Sequence, residues 1–354
     1  MLWVDKYRPT SFDKYIVHRD IAENLQKLVA SGDFPHTLLY GPPGAGKKTL
    51  VMALLREVFG PGVEKVKVES RPWVIQLPSR KLEVELTTVA SNYHVEMNPN
   101  DVGNNDKYVV QEIIKEMARN RPVDVQGTKG IKVLVLNEVD RLSRDAQQAL
   151  RRTMEKYSHA CRLIMVASNV SKVMDPIRSR CMCVRVPSPS DLQVMEVLKT
   201  VAQKESINLP DSLATAIALH SNRNLRRALL SFEVCRVQQY PFVDGQKVAP
   251  ADWEAYITEI AADMLREQTP KQLYLVRGKL YELLANCIPP ELIIKGLLLE
   301  LLRKLDDEMK QDIVHWAAFY EARLQEGQKV IFHLEAFVAK FMSVYKTYMC
   351  SMFT

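Results

Sequence analysis

The stretch Leu38-Leu39-Tyr40-Gly41-Pro42-Pro43-Gly44-Ala45-Gly46-Lys47-Lys48-Thr49 decides how the rest of the chain is read. A short apolar run enters a glycine-rich turn, and a helical pattern from Leu50 to Val58 leaves it. Strand, loop and helix in that order are the context that a phosphate-binding P-loop requires. Gly41, Gly44 and Gly46 let backbone N–H groups converge without a Cβ in the way, and Pro42 and Ala45 complete the loop. The helix that follows aims its partially positive N-terminus at the same point. Lys47 stands where the motif's lysine reaches the β- and γ-phosphates of ATP, or the β-phosphate of ADP. The next position departs from the pattern. Lys48 stands where Ser or Thr would offer a hydroxyl to Mg²⁺, and Thr49 comes one residue late.

The chain has 354 residues, enough for two or three domains that each bury a core. Apolar residues make up 47% and charged residues 25%, which places it among globular proteins rather than disordered or fibrous ones. A net charge of +6 permits an acidic partner without demanding one. Cys161, Cys181, Cys183, Cys235, Cys287 and Cys350 include no Cys-x-x-Cys pair and no zinc-finger spacing, so they read as reduced thiols. No secretory h-region and no long apolar run is seen, so a soluble intracellular protein with no membrane partner is expected.

Upstream of the loop, Trp3, Tyr7, Arg8 and Pro9 lie in a short arm expected to be extended, because Pro9 restricts what precedes it. The arm either packs on the core or covers a nucleotide base. A helix is expected over Ile21–Ala30, ending at Gly32. Downstream, Val63–Val68, Trp73–Leu77 and Lys81–Thr88 read as strands, Ser91–Asn105 as a polar loop, and Tyr108–Asn120 as a helix before a break at Thr128-Lys129-Gly130. Ile131–Leu136 suits a central strand buried on both faces. It runs into Asn137-Glu138-Val139-Asp140, where P-loop ATPases place the acids that hold Mg²⁺ and polarise water. Asn137 takes the metal position, and an amide binds a hard cation more weakly than a carboxylate does. Glu138 remains at the water-activating position.

Ser143 and Asp145 open a helix with an apolar stripe at Ala146, Leu150, Thr153 and Tyr157. Arg144, Gln147 and Arg151 occupy another face, with Arg152 and Lys156 beside them, either solvated or tracking phosphates. Cys161–Ala167 is the next buried strand. It ends in Ser168-Asn169, polar groups where a γ-phosphate could be sensed. Ser179-Arg180-Cys181 precedes a strand over Met182–Val186, and Pro187-Ser188-Pro189-Ser190 is a linker. The alternation of β and α implies a mostly parallel α/β domain over 1–187, with phosphates beyond the carboxyl ends of its strands. Residues 188–248 read as a helical lid, with stripes at Leu192, Val197 and Leu198 and at Leu213, Ala216, Ile217 and Leu219, and with Arg226 in the first turn of a third helix. Residues 249–354 read as all-α. There, Leu292–Leu302 is apolar nearly all round, which favours burial against other subunits.

The arm Trp3-Val4-Asp5-Lys6-Tyr7-Arg8-Pro9, the P-loop, Leu150-Arg151-Arg152-Thr153-Met154-Glu155, Ser179-Arg180-Cys181 and Leu334-Glu335-Ala336-Phe337-Val338-Ala339-Lys340 together resemble the replication factor C small subunits, clamp loaders of the AAA+ class. The resemblance runs the whole length. It implies a P-loop NTPase domain, a helical lid and an all-α collar that oligomerises. It also implies five different subunits in a nuclear ring that opens the sliding clamp, proliferating cell nuclear antigen, at primer–template DNA with ATP. Arg180 then resembles an arginine finger acting in trans on a neighbour's γ-phosphate. Arg226 resembles a second sensor, Tyr7, Arg8 and Pro9 a base-side flap, and Lys115, Arg151 and Arg152 residues lining the DNA channel. The first-sensor Asn of the family aligns with Ser168, and Asn169 is one place late.

Against that pattern, Lys48 and Asn137 together remove two Mg²⁺ ligands, and losing both should cripple a metal-dependent step. The expectation is a chain that binds nucleotide, hydrolyses little itself, and completes its neighbour's site. The alternatives are a fully active ATPase subunit, for which Lys47, Glu138 and Arg226 argue, and a nucleotide-free scaffold, against which the intact loop argues.

Overall fold

A helical turn, α1 (Trp3–Lys6), opens the chain, followed by α2 (Arg19–Ala30), β1 (Thr37–Tyr40) and α3 (Lys47–Phe59). Next come β2 (Lys67–Gln76), β3 (Lys81–Ala90), β4 (His94–Met97), α4 (Asp106–Arg119), β5 (Lys132–Leu136), α5 (Arg144–Tyr157), β6 (Cys161–Ala167), α6 (Asp175–Arg178) and β7 (Met182–Arg185). Helices alone follow: α7 (Asp191–Lys204), α8 (Asp211–His220), α9 (Leu225–Gln238), α10 (Asp252–Arg266), α11 (Pro270–Ala285), α12 (Pro290–Leu302), α13 (Asp307–Glu326) and α14 (Val330–Met352). This computed structural model describes residues 1–30, 34–76, 81–119, 132–158, 161–243, 245–327 and 329–352. The expected helix end at Gly32, strand end at Leu77 and break at Thr128-Lys129-Gly130 lie outside the described residues.

The strands form one sheet in the order β2-β3-β4-β5-β6-β1-β7. From β4 to β7 every neighbouring pair is parallel, while β2, β3 and β4 pair antiparallel. The unbroken apolar runs of the inner strands follow from burial on both faces. Leu134 and Leu136 meet Ile113, Ile114 and Leu150 of α4 and α5 on one side. Val133 and Val135 meet Leu50, Leu54 and Leu25 of α3 and α2 on the other. The register sets Glu96 beside Val135 and Met97 beside Leu136, and Tyr40 beside Ala167. Asn137 N then donates to Met97 O at 3.0 Å and Gly41 N to Ala167 O at 3.3 Å. The P-loop, the acidic turn and the end of β4 therefore collect at the same edge of the sheet.

The chain divides into two compact units, Met1–Val248 and Ala249–Thr354. In the first, α7, α8 and α9 enclose their own core of Val194, Leu198, Leu213, Ile217 and Phe232, which Trp3 joins. The second is built from α10 to α14 around Ile260, Leu280, Leu297, Leu334 and Phe337.

Several expectations are corrected. The arm is a helical turn rather than extended, because Pro9 restricts only Arg8 and leaves Trp3–Lys6 free to coil. Val63 lies in a 3₁₀ turn over Pro61–Glu64, where Pro61-Gly62 overrides the alternation, and the strand starts at Lys67. The loop over Ser91–Asn105 contains β4, whose buried His94 and Glu96 hide its pattern. Leu192 and Leu219, placed on apolar stripes, are 77% and 64% exposed; Val194 and Ala218 take the inward positions.

Candidate nucleotide-binding site

Gly46 caps α3 with φ 92° and Gly44 has φ 75°, backbone that side chains with a Cβ avoid. A Cβ on Gly44 would also overlap Asn224. That crowding marks where the lid meets the loop: Leu225 N donates to Gly44 O at 3.2 Å, while Asn224 caps α9 by accepting from Arg227 N at 3.1 Å. Lys47 is buried, and its Nζ donates to Gly41 O at 2.5 Å and Pro42 O at 2.8 Å. Burial pushes its pKa down, with the Asp140 carboxylate acting to raise it and the Arg226 guanidinium to lower it further. The expected Lys47 and Arg226 are thus brought into one electrostatic field, and Asp140 belongs to it as well. His18 donates from Nε2 to Ala45 O at 3.3 Å, and burial lowers its pKa.

The arm reaches the same place. Arg8 Nε donates to Thr49 Oγ1 at 3.2 Å, so the threonine that comes one residue late holds the arm. On its other side the arm is strapped to the lid. Lys6 Nζ bonds Glu205 at 2.5 Å, the Tyr7 hydroxyl donates to the same carboxylate, and the Trp3 ring lies 4.9 Å from Phe232. Pro9 is half-buried beyond them.

The positions expected to bind Mg²⁺ have a different occupation. Lys48 Nζ is ion-paired with Glu96 Oε1, and Asn137 Nδ2 donates to that same oxygen at 2.8 Å. The Glu96 side chain is 8% exposed. The amide must turn its NH₂ toward Glu96, since its carbonyl oxygen would face a carboxylate oxygen. The donor set offered here is therefore an ammonium and an amide N–H closed on one carboxylate, and it does not fit a magnesium ion, which needs converging oxygens. Glu138 sits in the left-handed region with φ 52° and lies 3.2 Å from Arg141. Ser168 is exposed at the end of β6. Asn169 is committed elsewhere, its side chain accepting from Ser171 N at 2.9 Å and its N–H donating to Asp140 Oδ2 at 3.2 Å.

Arg180 follows α6. Its Nε donates to Glu155 Oε1 at 2.7 Å, Nη2 lies 2.7 Å from that oxygen, and Nη1 donates to Pro176 O at 2.8 Å. None of these partners belongs to the chain's own P-loop. Arg151 Nε lies 3.7 Å from the same Glu155 oxygen, Arg152 is exposed beside it, and Lys115 on α4 pairs with Glu112 at 2.6 Å. Gln147 departs from the basic face on which its spacing placed it. It is buried, donating to Leu142 O and Lys172 O and accepting from Met174 N at 2.9 Å.

Sequence reasoning missed Glu96, His18 and Asn224, and named Asp140 without a role. Among the described residues no cluster of His, Cys, Asp and Glu suits a metal ion, and no helix is long and apolar enough to cross a membrane.

The protein called Replication factor C subunit 3 of Arabidopsis thaliana is 61% identical to this chain over 353 residues, covering 100% of both. The chain belongs to the replication factor C subunit family. Human Replication factor C subunit 3 is 53% identical, with 98% of this chain and 97% of that one covered. Family descriptions match in three segments: DNA polymerase III, delta subunit over residues 17–190, RCF1/5-like, AAA+ ATPase lid domain over 196–237, and Replication factor C subunit 3, C-terminal domain over 253–349. The Thermotoga maritima RuvB Holliday junction branch migration motor shares the fold at 17% identity, with a TM-score of 0.50 over 77% of this chain and 85% of that one. This replication factor C subunit thus carries an AAA+ fold, which implies nucleotide binding, followed by the family's lid and C-terminal domains.

Proposed function

We propose that this chain is one subunit of a heteropentameric clamp loader that uses ATP to place the sliding clamp, proliferating cell nuclear antigen, on primer–template DNA in the nucleus. It binds ATP or ADP at its own P-loop, hydrolyses little there, and supplies Arg180 to the nucleotide of an adjoining subunit. Residues 1–187 are the nucleotide domain, 188–248 the lid, and 249–354 a collar that joins the other replication factor C subunits. Lys115, Arg151 and Arg152 face the DNA backbone, which such a ring grips by phosphate contacts rather than by base sequence.

The observation that carries the reading is the holding of Arg180. Its side chain is 34% exposed, and it is aimed by Glu155 and the Pro176 carbonyl rather than by any group of its own nucleotide site. An arginine reaching a γ-phosphate across a boundary is worth roughly 10³–10⁵ in rate. Tyr7, Arg8 and Pro9 cover the base side. Lys47 and Arg226 hold the phosphates, and Gly41, Pro42, Gly44, Ala45 and Gly46 supply backbone. The test is the steady-state ATPase of the reconstituted ring with clamp and primed DNA. Arg180→Ala cuts it strongly, Lys47→Ala cuts it little, and the reverse ranking favours a fully active ATPase subunit, for which the retained Glu138 argues.

A further inference from the structure

We propose that Glu96 fixes Lys48 as a built-in counter-cation where a P-loop nucleotidase holds its divalent ion, so that this chain binds a nucleoside di- or triphosphate without metal. The inference rests on the nucleotide-binding reading above and adds the residue that sets the charge there.

Three observations converge. Glu96 is a carboxylate almost wholly withdrawn from water at the carboxyl end of β4, where the register brings it beside the strand that leads into Asn137. Both residues that depart from the P-loop pattern bond to it, Lys48 by an ion pair and Asn137 through Nδ2, and both meet the same oxygen. A withdrawn carboxylate needs such partners, because an uncompensated charge in that position is costly. The Lys48 side chain is itself 46% exposed. Its ammonium has three N–H donors, so bonding Glu96 leaves others for an oxyanion. Lys48 sits one residue after Lys47, at the N-terminus of α3. The ammonium is therefore anchored by Glu96 on a side chain that stays partly open to solvent, in the first turn of the helix whose N-terminus favours a phosphate.

The departures at Lys48 and Asn137 then form one exchange rather than two losses. A serine or threonine hydroxyl and a carboxylate around a mobile divalent ion are replaced by an ammonium and an amide around a fixed carboxylate. Restoring only one of them leaves a mismatch. Asn137→Asp alone sets two carboxylates on one ammonium, and Lys48→Thr alone leaves Glu96 without a counter-charge.

The test is titration of the nucleotide-stripped full chain with a fluorescent ADP analogue, in EDTA and in millimolar Mg²⁺. The wild type binds with the same affinity, within about threefold, in both. Glu96→Gln and Lys48→Gln each weaken binding in EDTA by about tenfold. Lys48→Gln changes a half-exposed side chain, so it decides the matter if Glu96→Gln lowers the melting temperature. The pair Lys48→Thr/Asn137→Asp, which gathers a hydroxyl and two carboxylates, gains about tenfold from Mg²⁺. Wild-type binding that tightens tenfold or more with Mg²⁺, or Lys48→Gln binding unchanged in EDTA, overturns the inference and leaves the nucleotide reading standing. No wild-type binding in either buffer overturns both.

Discussion

His36 accepts a hydrogen bond from Leu163 N at Nδ1, 3.0 Å away, so protonating that nitrogen breaks the contact. Burial, then Arg162, pushes its pKa down from 6.5 to about 4, against a bond to the Met154 backbone that acts to raise it. The unfolded chain therefore takes up this proton first as pH falls. Stability contributed by neutral His36 is complete above its unfolded pKa and is lost progressively between pH 6.5 and about 4. The full loss is on the order of 3 kcal/mol. Denaturant melts across that window should fall steadily for the wild type and less steeply for His36→Asn; equal slopes would exclude the assignment. At this scale the sequence was only half readable. Lys48 and Asn137 stand out because a motif says what should be there. Glu96 does not, because no local pattern announces a carboxylate whose partners lie on a distant helix and a neighbouring strand. Arg180 was singled out by its flanking Ser179 and Cys181, while its hydrogen-bond partner Glu155 was visible only as part of a helix.

Among the elements, α4 and α5 are tied by one carboxylate. Asp106, 3% exposed at the start of α4, accepts from Lys107 N at 2.7 Å, Ser143 N at 2.7 Å and Ser143 Oγ at 2.9 Å. Ser143 in turn caps α5 by accepting from Ala146 N at 3.1 Å. The N-termini of the two helices that carry Lys115, Arg151 and Arg152 thus share a cap. Asp106→Ala removes three hydrogen bonds made by a buried carboxylate and a negative charge from two helix N-termini, costing about 1–3 kcal/mol. Urea unfolding of unit 1 measures it, and a change under about 0.5 kcal/mol, typical of an exposed surface substitution, would contradict it. The helices and inner strands were legible because apolar periodicity reports burial directly. Cys161–Ala167 falls where it was expected. Four-residue β4 was not, since two of its inward positions are polar: Glu96, held by the distant Lys48 and Asn137, and His94, whose Nδ1 bonds the nearby Ser91 hydroxyl. Nor was the burial of Gln147, whose amide saturates three backbone groups that no spacing rule foresees.

At the scale of the whole molecule, each unit has its own core, and the P-loop, lid and arm belong to the first. The lid meets the loop through Leu225 and Gly44, and the arm bridges lid and α3 through Glu205 and Thr49. Both joints lie outside what a linear pattern can convey. The order of the parts was legible, because glycine loop, strand-end acids, proline linker and helical run each carry a local signal. In the second unit Tyr274, Leu275 and Phe332 are 75%, 58% and 52% exposed, and these large apolar groups suit burial against other subunits of a ring. On the function proposed above, a chain whose Lys48 and Asn137 close on Glu96 and whose Arg180 is held away from its own P-loop works chiefly through its neighbour. The most direct measurement is rapid-quench counting of ATP hydrolysed per ring in the first turnover. Rings with Arg180→Ala should lose one fast hydrolysis event, and rings with Lys47→Ala should lose none. Loss of an event with Lys47→Ala and none with Arg180→Ala would contradict the account.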